Sequence, residues 1–411
     1  RTGAARAVPF LAAGVNGVAH TDTPELNTRG KQFLQHLGGF LSTRAAEDQL
    51  VAQGLRPAAA AETLFAGDAT AEIKRCLHRV YSGVTDPDLL LAPSGMNALH
   101  AAFRAISTLQ ATRGRTAWVQ LGWLYLDTIA LLKKFTPNPT RDYLRHGNVA
   151  DLSGLERLLA TDGARIAGII IEAPTNPLIQ TPDIAAVAAL ARRHGVRLIL
   201  DPAISSPYNV DLLPAADLVA QSLTKYTAHE GDVIAGAVVV NPQGPDAAEL
   251  RRLVSEYLEP VHPRDLARLA AQIDATEDVV RKINASTMQV ATLLENHPAV
   301  QQVWWALQPG SRENYLKIAR SPTAVGSIIS FTLKAPMKDF YDRVRLPKGP
   351  SFGMRTTLIS PFIYLAHYDL VTSPAGRAEL AAHGLSPDLL RLSVGLEPIE
   401  DILAALREAL S

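Results

Sequence analysis

Apolar positions along the chain form two kinds of run. Short runs that are apolar at nearly every position occur at "TAWVQLG", "IAGIIIEAP", "VRLILDP", "DLVAQSL" and "AGAVVVNP". Between several of them the apolar residues recur at helical spacing, as in "PDIAAVAALARRHG", with Pro near its start and Gly at its end. Strands apolar on both faces, alternating with helices, predict a mainly parallel sheet covered on both sides. This alternation starts near residue 70 and changes after about residue 245. From there "DLARLAAQIDATEDVVRKINASTMQVATLLENHP" is predicted as one long helix bridging two parts of the chain. Beyond it, strand-like "SIISFTL" and "LLRLSVGLE" and helix-like "PMKDFYDRV" and "PIEDILAALREAL" predict a smaller α+β domain. Residues 1 to about 60 are weakly periodic and rich in Ala, Gly, Thr and Arg. They are expected to form an arm or short helices resting on a partner surface. The expected division is therefore 1–60, 61–255 and 256–411, with no repeat and no low-complexity linker.

Composition narrows the function classes. With 40 basic and 40 acidic side chains the formal charge is zero, which removes a general electrostatic pull towards nucleic acid or an anionic membrane. No apolar run approaches the roughly 20 residues that span a bilayer, and the first residues given show no basic-then-apolar signal pattern. The single cysteine, Cys76, excludes an intramolecular disulfide and fits a reducing compartment. A cytoplasmic protein without a metal centre is expected.

The chemistry lies where the apolar runs end, since ligands of such sheets bind at the carboxyl ends of the strands. "APSGMNALHAAF" places Pro-Ser-Gly before a helix, where free N–H groups can hold an anion. A plain Ser N-cap would read the same way. In "LILDPAISSPYN", Asp201 closes an apolar strand, where a carboxylate calls for a cation unless it only starts a turn. Asn176, between two prolines in "IEAPTNPLIQTPD", is either a donor to a ligand oxygen or a turn residue. In "SLTKYTAHEGDVIAG", Lys225 stands between two buried-looking runs behind the hydroxyls of Ser222 and Thr224. Burial and a nearby cation lower a lysine's pKa and make its amine nucleophilic. Together these are the parts pyridoxal phosphate needs: an amine, an acid for the ring nitrogen, a donor for the phenolic oxygen and a phosphate cup.

In order and spacing these segments resemble the cystathionine γ-synthase group of pyridoxal-phosphate enzymes, the trans-sulfuration or Cys/Met-metabolism family. "PSGMNAL" is similar to its phosphate loop and "IIIEAPTNPLIQTPDI" to its Glu-x-Pro-x-Asn-Pro segment. "LILDP", "SLTKY", "KGPSFGMRTTLISP" and "LLRLSVGLEPIEDIL" resemble four further motifs, so the likeness spans roughly residues 60 to 411. "VQLGWLYLDT" and "SLTK" are closer to the fungal-type cystathionine γ-synthase branch than to the common bacterial lyases.

The resemblance implies a fold-type I α/β enzyme, with a mainly parallel mixed sheet carrying helices on both faces and a smaller C-terminal domain. It implies pyridoxal 5'-phosphate held by Lys225, with Asp201 on the ring nitrogen and Asn176 on the phenolic oxygen. Gly95, Met96, Ser222 and Thr224 would bind the phosphate. Tyr125 would stack on the ring and assist proton transfer, with Trp123 as a rival for that place. Arg391, with Ser351 nearby, would clamp the substrate carboxylate. The implied reaction is substitution at Cγ of an activated homoserine-type amino acid through a vinylglycine ketimine. A γ- or β-elimination, or substitution by a nucleophile other than cysteine, is the alternative. Small-molecule substrates and a homo-oligomeric dimer of dimers are also implied. Two departures stand out. The family's Tyr-x-Arg, which reaches the neighbouring subunit's phosphate, has only "LFAGD" (Phe65, Gly67) or "VYSGV" (Tyr81, Gly83) to match it, and neither holds the arginine. Glu230 replaces a frequent histidine.

Overall fold

The computed structural model describes residues 8–12 and 15–411. Part of the expected arm, residues 1–7 and 13–14, thus lies outside the described residues. The rest of it comprises a hairpin of β1 (Val8–Ala12) and β2 (Val15–Ala19) and the helices Pro24–Leu37 and Thr43–Ala52.

The five apolar runs become strands of one seven-stranded sheet. Its members are β3 (Leu89–Ala92), β4 (Ala117–Leu121), β5 (Tyr143–His146), β6 (Ile166–Glu172), β7 (Arg197–Asp201), β8 (Leu218–Ser222) and β9 (Gly236–Val240). Their order is β3-β9-β8-β7-β6-β4-β5, and only β9 runs against the others. Neighbouring residues of one strand serve opposite cores. Ile169, Ile171, Leu198, Leu200 and Val219 belong to one cluster, while Ile170, Ile199, Leu218 and Ala220 join the helix Gly95–Ala111 in another. Two apolar faces are what allow strands of this composition to stay buried. In β7 and β8 the half-buried position is the last one, Asp201 and Ser222 respectively.

The C-terminal part is a four-stranded antiparallel sheet of β10 (Val300–Trp304), β11 (Ile328–Leu333), β12 (Leu358–Pro361) and β13 (Leu390–Ser393), in the order β10-β11-β13-β12. The helices Thr276–Asn296 and Ile399–Leu410 pack beside it. This is the fold-type I arrangement expected: a mixed, mainly parallel sheet followed by a smaller α+β part. The long predicted helix is in fact two, Pro263–Ile273 and Thr276–Asn296. Arg75 and Arg79 hold the Asp274 carboxylate at 2.8 and 2.6 Å, at the break between them. The two halves have different partners: the first packs on the helix Ala69–Leu77, the second on the C-terminal sheet. Periodicity continues through such a break because both halves are amphipathic. The three-part division of the chain stays a proposal, and its boundary at 255 falls inside the helix Ala247–Tyr257.

The arm lies on its own chain near the strand ends. The helix Pro24–Leu37 meets the helices Gly95–Ala111 and Leu126–Phe135. The Gln35 amide donates to both Asp127 oxygens at 2.9 and 3.1 Å, and the Ser94 hydroxyl donates to the Gly38 carbonyl at 2.8 Å. Arg44 anchors the second arm helix to Glu62, Asp265 and Asp232 at 2.7, 3.2 and 3.4 Å. Replacing it leaves Asp265 without its cation, while Glu62 keeps Arg264 and Asp232 keeps Arg268. Arg44→Ala is expected to lower stability by about 2–3 kcal/mol, less than for a fully buried pair because Glu62 and Asp232 keep some water contact. Urea denaturation checks this; a loss under about 0.5 kcal/mol, the size of an ordinary surface substitution, would mean the network is only surface decoration.

Candidate active site

The carboxyl ends of β6, β7 and β8 deliver Glu172, Asp201 and Ser222, and the turns beyond them deliver Asn176 and Lys225. A segment of the C-terminal part closes over these ends. Lys225 Nζ donates to Ser351 Oγ at 3.2 Å and lies 5.1 Å from the centre of the Phe352 ring. Arg391, in the middle of β13, donates from Nη1 to Asn176 Oδ1 at 3.0 Å and from Nη2 to the Pro350 carbonyl. Its guanidinium carbon sits 4.2 and 5.2 Å from the Phe362 and Phe352 rings. Aromatic faces on a guanidinium leave its edge as the open approach, and three of its five N–H groups are not engaged by Asn176 or Pro350. Such an edge suits a planar carboxylate. The structure therefore brings together Lys225, Asn176, Ser351 and Arg391, residues far apart in sequence.

Their surroundings tune the charges. Burial, and then the Arg391 charge, lower Lys225 to about 8, so roughly a tenth of its amine is free base at neutrality, far more than for an ordinary lysine. Burial pushes Asp201 up to about 7, against the pull of the Ala203 amide, which donates to it at 2.8 Å. Burial, then the neighbouring Asp201, hold Glu172 well above the usual carboxylate range. Arg391 falls to about 10 because it is buried, with Glu172 acting in the opposite direction.

The expected phosphate cup is assembled by close packing. Gly95 and Met96 open the helix Gly95–Ala111, which Ser94 caps by accepting the Asn97 N–H at 3.0 Å. A Cβ on Gly95 would lie 2.6 Å from that of Ser222, so only glycine lets the helix start meet the end of β8. Thr224 Oγ1 accepts the Ala235 N–H at 3.1 Å and donates to the Ala235 carbonyl at 3.3 Å. Its hydroxyl thus fastens the lysine turn to the segment entering β9.

Tyr125 starts the helix Leu126–Phe135 and is 40% exposed. Its rival Trp123 is committed elsewhere: the buried indole donates to His367 Nε2 at 3.2 Å and stands edge-on to His367 and His383. Of the two rings, Tyr125 is the one facing open space. Gly67 and Gly83, in the two segments that could match the family's Tyr-x-Arg, have φ +139° and +76°, conformations that disfavour a side chain. Tyr81 is buried, and Glu230 pairs with Arg355 at 2.9 Å. Cys76 adjoins Glu72 and Asp274, but Arg75 binds both carboxylates and burial pushes the thiol up to about 11, as for a packed thiol. Three residues at the site were not singled out from sequence: Glu172, Phe352 and Phe362. Glu172 carried the same signal as Asp201, an acid closing an apolar strand. The two phenylalanines carried none.

This donor set fits pyridoxal phosphate: a lysine with a lowered pKa, an acid at a strand end whose hydrogen-bond donor is a backbone amide, and a helix start pressed on a serine. A model of the family described as Cys/Met metabolism PLP-dependent enzyme matches residues 77–411, and the chain belongs to that family. It is 39% identical over 407 residues to an L-2-amino-4-chloropent-4-enoate dechlorinase/desaturase of Streptantibioticus cattleyicolor, a match covering 99% of this chain and 81% of that protein. It is 32% identical over 337 residues to a cystathionine gamma-synthase of Neurospora crassa, covering 81% of this chain and 53% of that protein. The chain spans about half the length of this and the other fungal relatives. A solved cystathionine gamma synthase from Xanthomonas oryzae pv. oryzae shares the fold, with a TM-score of 0.71, 23% identity and coverage of 89% of this chain and 96% of that one.

The lowered lysine has a testable sign. When apoprotein is mixed with pyridoxal phosphate, the rate of colour development should rise with pH through about 8, as the amine loses its proton. Arg391→Gln removes a cation that disfavours the charged amine, so the midpoint should move up and attachment at neutral pH should slow. A midpoint unmoved or lowered in the variant would show that Arg391 does not act on Lys225.

Proposed function

We propose that the protein removes a leaving group from Cγ of a small amino acid by net elimination, with a halide as the leaving group. The observation that carries this is the 39% identity over nearly the whole chain to a protein named for dechlorinating a 4-chloro amino acid, in which chlorine is on the γ-carbon.

The cofactor supplies an electron sink for the charge left when the α-proton is removed. Arg391 and Ser351 fix the substrate carboxylate, which aligns the α-C–H bond with the lysine. Lys225, as free base, takes the proton and can carry it between carbons. Ionised Asp201 would stabilise a positive ring nitrogen, and Asn176 would offer Nδ2 to the phenolic oxygen while its Oδ1 orients Arg391. Tyr125 would cover the ring, and Gly95, Met96, Ser222 and Thr224 would hold the phosphate. In balance, one C–H and one C–Cl bond break, a proton and chloride depart, and the carbon skeleton gains one π bond.

A second reading is substitution at Cγ by a thiol, supported by the 32% identity to the Neurospora cystathionine gamma-synthase. Incubation with L-2-amino-4-chloropent-4-enoate, with and without cysteine, separates the two. Elimination gives chloride and a product lighter by HCl whether or not thiol is present; a thioether product would establish substitution. Turnover without chloride release would sink both.

Lys225→Ala should abolish turnover and the bound-cofactor absorbance while circular dichroism stays native. Asp201→Asn should keep the colour but slow turnover on the order of 10²-fold or more. Near-wild-type rates in either variant would remove that residue from the mechanism.

We also place the protein in the cytoplasm as a homo-oligomer, a dimer of dimers. No helix of the described residues is long and apolar enough to cross a membrane. The arm supports assembly: its helix Pro24–Leu37 buries no residue and leaves Phe33 and Leu34 exposed. Light scattering is expected to report a tetramer, and a fully active monomer would refute it.

A further inference from the structure

A carboxyl at the end of a strand buried at every position needs a physical reason. Glu172 closes β6 and is only 4% exposed. The parallel register sets it directly beside Asp201 on β7. Register partners point to the same face, and adjacent strands lie about 4.8 Å apart. Two carboxyls in such a position do not both ionise readily, and their titrations belong to the pair. The charged groups facing Glu172 are Asp201, from the neighbouring strand, and Arg391, from the C-terminal sheet. Arg391 directs its hydrogen bonds at Asn176 and the Pro350 carbonyl and makes none to Glu172.

Glu172 has a definite hydrogen-bond partner: its Oε1 accepts the backbone N–H of Tyr125. That residue begins the helix Leu126–Phe135 and has no side-chain cap of its own. Asp127, two residues on, is tied to the arm by Gln35. Tyr125 is therefore tethered from the sheet side by Glu172, and the tether needs only a carbonyl-type oxygen, not a charge.

We propose that Glu172 is a positioning residue that works uncharged: it holds Tyr125 at the site through one oxygen and leaves the single negative charge of the carboxyl pair to Asp201. The upward displacement of Glu172 by burial and by Asp201 points the same way. The inference rests on the Lys225–Asp201–Asn176 site and not on the identity of the leaving group. Glutamine is then a mimic in both shape and charge, whereas alanine removes the tether.

The test uses the holoenzyme and its Glu172→Gln and Glu172→Ala variants, with three readouts. The pH titration of the cofactor absorbance, taken without substrate, should be unmoved in Glu172→Gln. Amide hydrogen exchange in the peptide containing Tyr125 should match wild type in Glu172→Gln and speed up in Glu172→Ala. With any amino acid that the enzyme turns over, kcat should stay within about threefold for Gln and fall tenfold or more for Ala, with KM little changed because the Arg391 clamp is untouched. A titration displaced by a full unit in Glu172→Gln would show that the wild-type carboxyl is charged and overturn the proposal. Equal kcat losses in both variants would do the same, and so would wild-type exchange at Tyr125 in Glu172→Ala. The first two readouts need no substrate, so failure of the halide-elimination reading leaves them intact. If Glu172→Ala does not fold, the glutamine titration still decides the charge.

Discussion

The hydrogen bond from Arg391 to Asn176 is the contact on which the site depends. One partner belongs to a strand of the small antiparallel sheet, the other to the turn after the longest strand of the large sheet. Joining them seats the Pro350–Phe352 segment over the ends of β6, β7 and β8. Ser351 then meets the lysine, and Phe352 faces both cations. Without this closure Lys225 would be an ordinary solvated ammonium at the mouth of an α/β sheet. With it, the amine loses much of its water and feels a second positive charge. A buried guanidinium needs acceptors for its N–H groups, and the Asn176 and Pro350 oxygens meet that need while leaving an edge for a ligand.

The same loss of water acts on four ionisable groups at once, with opposite consequences for the two signs. The cations Lys225 and Arg391 move down, and the acids Asp201 and Glu172 move up. Each shift favours the neutral form, so proton transfers between these groups require smaller free-energy changes than they would in water. The strands that carry the acids are apolar on both faces and buried on both faces. The acids are thus mounted on the buried sheet, while Asn176, Lys225 and Arg391 come from the turns and from the other sheet.

The departures from the family are local and have structural counterparts. In both segments that could match the family's Tyr-x-Arg, the residue in the arginine's place is a glycine, Gly67 or Gly83, with positive φ. Where a histidine is frequent, Glu230 pairs with Arg355. The arm packs on the helix Gly95–Ala111 and on the helix that follows Tyr125: the Gly38 carbonyl accepts from Ser94, and the Gln35 amide donates to both oxygens of Asp127. These features reshape the rim of the site and leave its strand-end acids and lysine in place.

The five strands with continuous apolar runs were legible from sequence because burial on both faces demands apolar residues at every position, a demand visible without knowing the partners. The same holds for Asp201 and Lys225: a charge set against an apolar run is conspicuous wherever the chain goes. The polar edge strand β5, the break at Asp274 and the role of Trp123 were not legible, since each depends on which distant residue lies opposite. Asn176 was readable only as a polar residue between prolines, and its bond to Arg391, 215 positions away, exists only once two sheets meet. Glu172 shows the boundary most clearly. Its sequence signal equals that of Asp201, yet register beside a second acid and a hydrogen bond from Tyr125 set it apart. The sequence by itself determined which strands are buried and which ionisable groups stand at their ends. Tertiary structure decided how those groups share charge, because electrostatic coupling depends on distance and surrounding water, and neither is encoded in spacing along the chain.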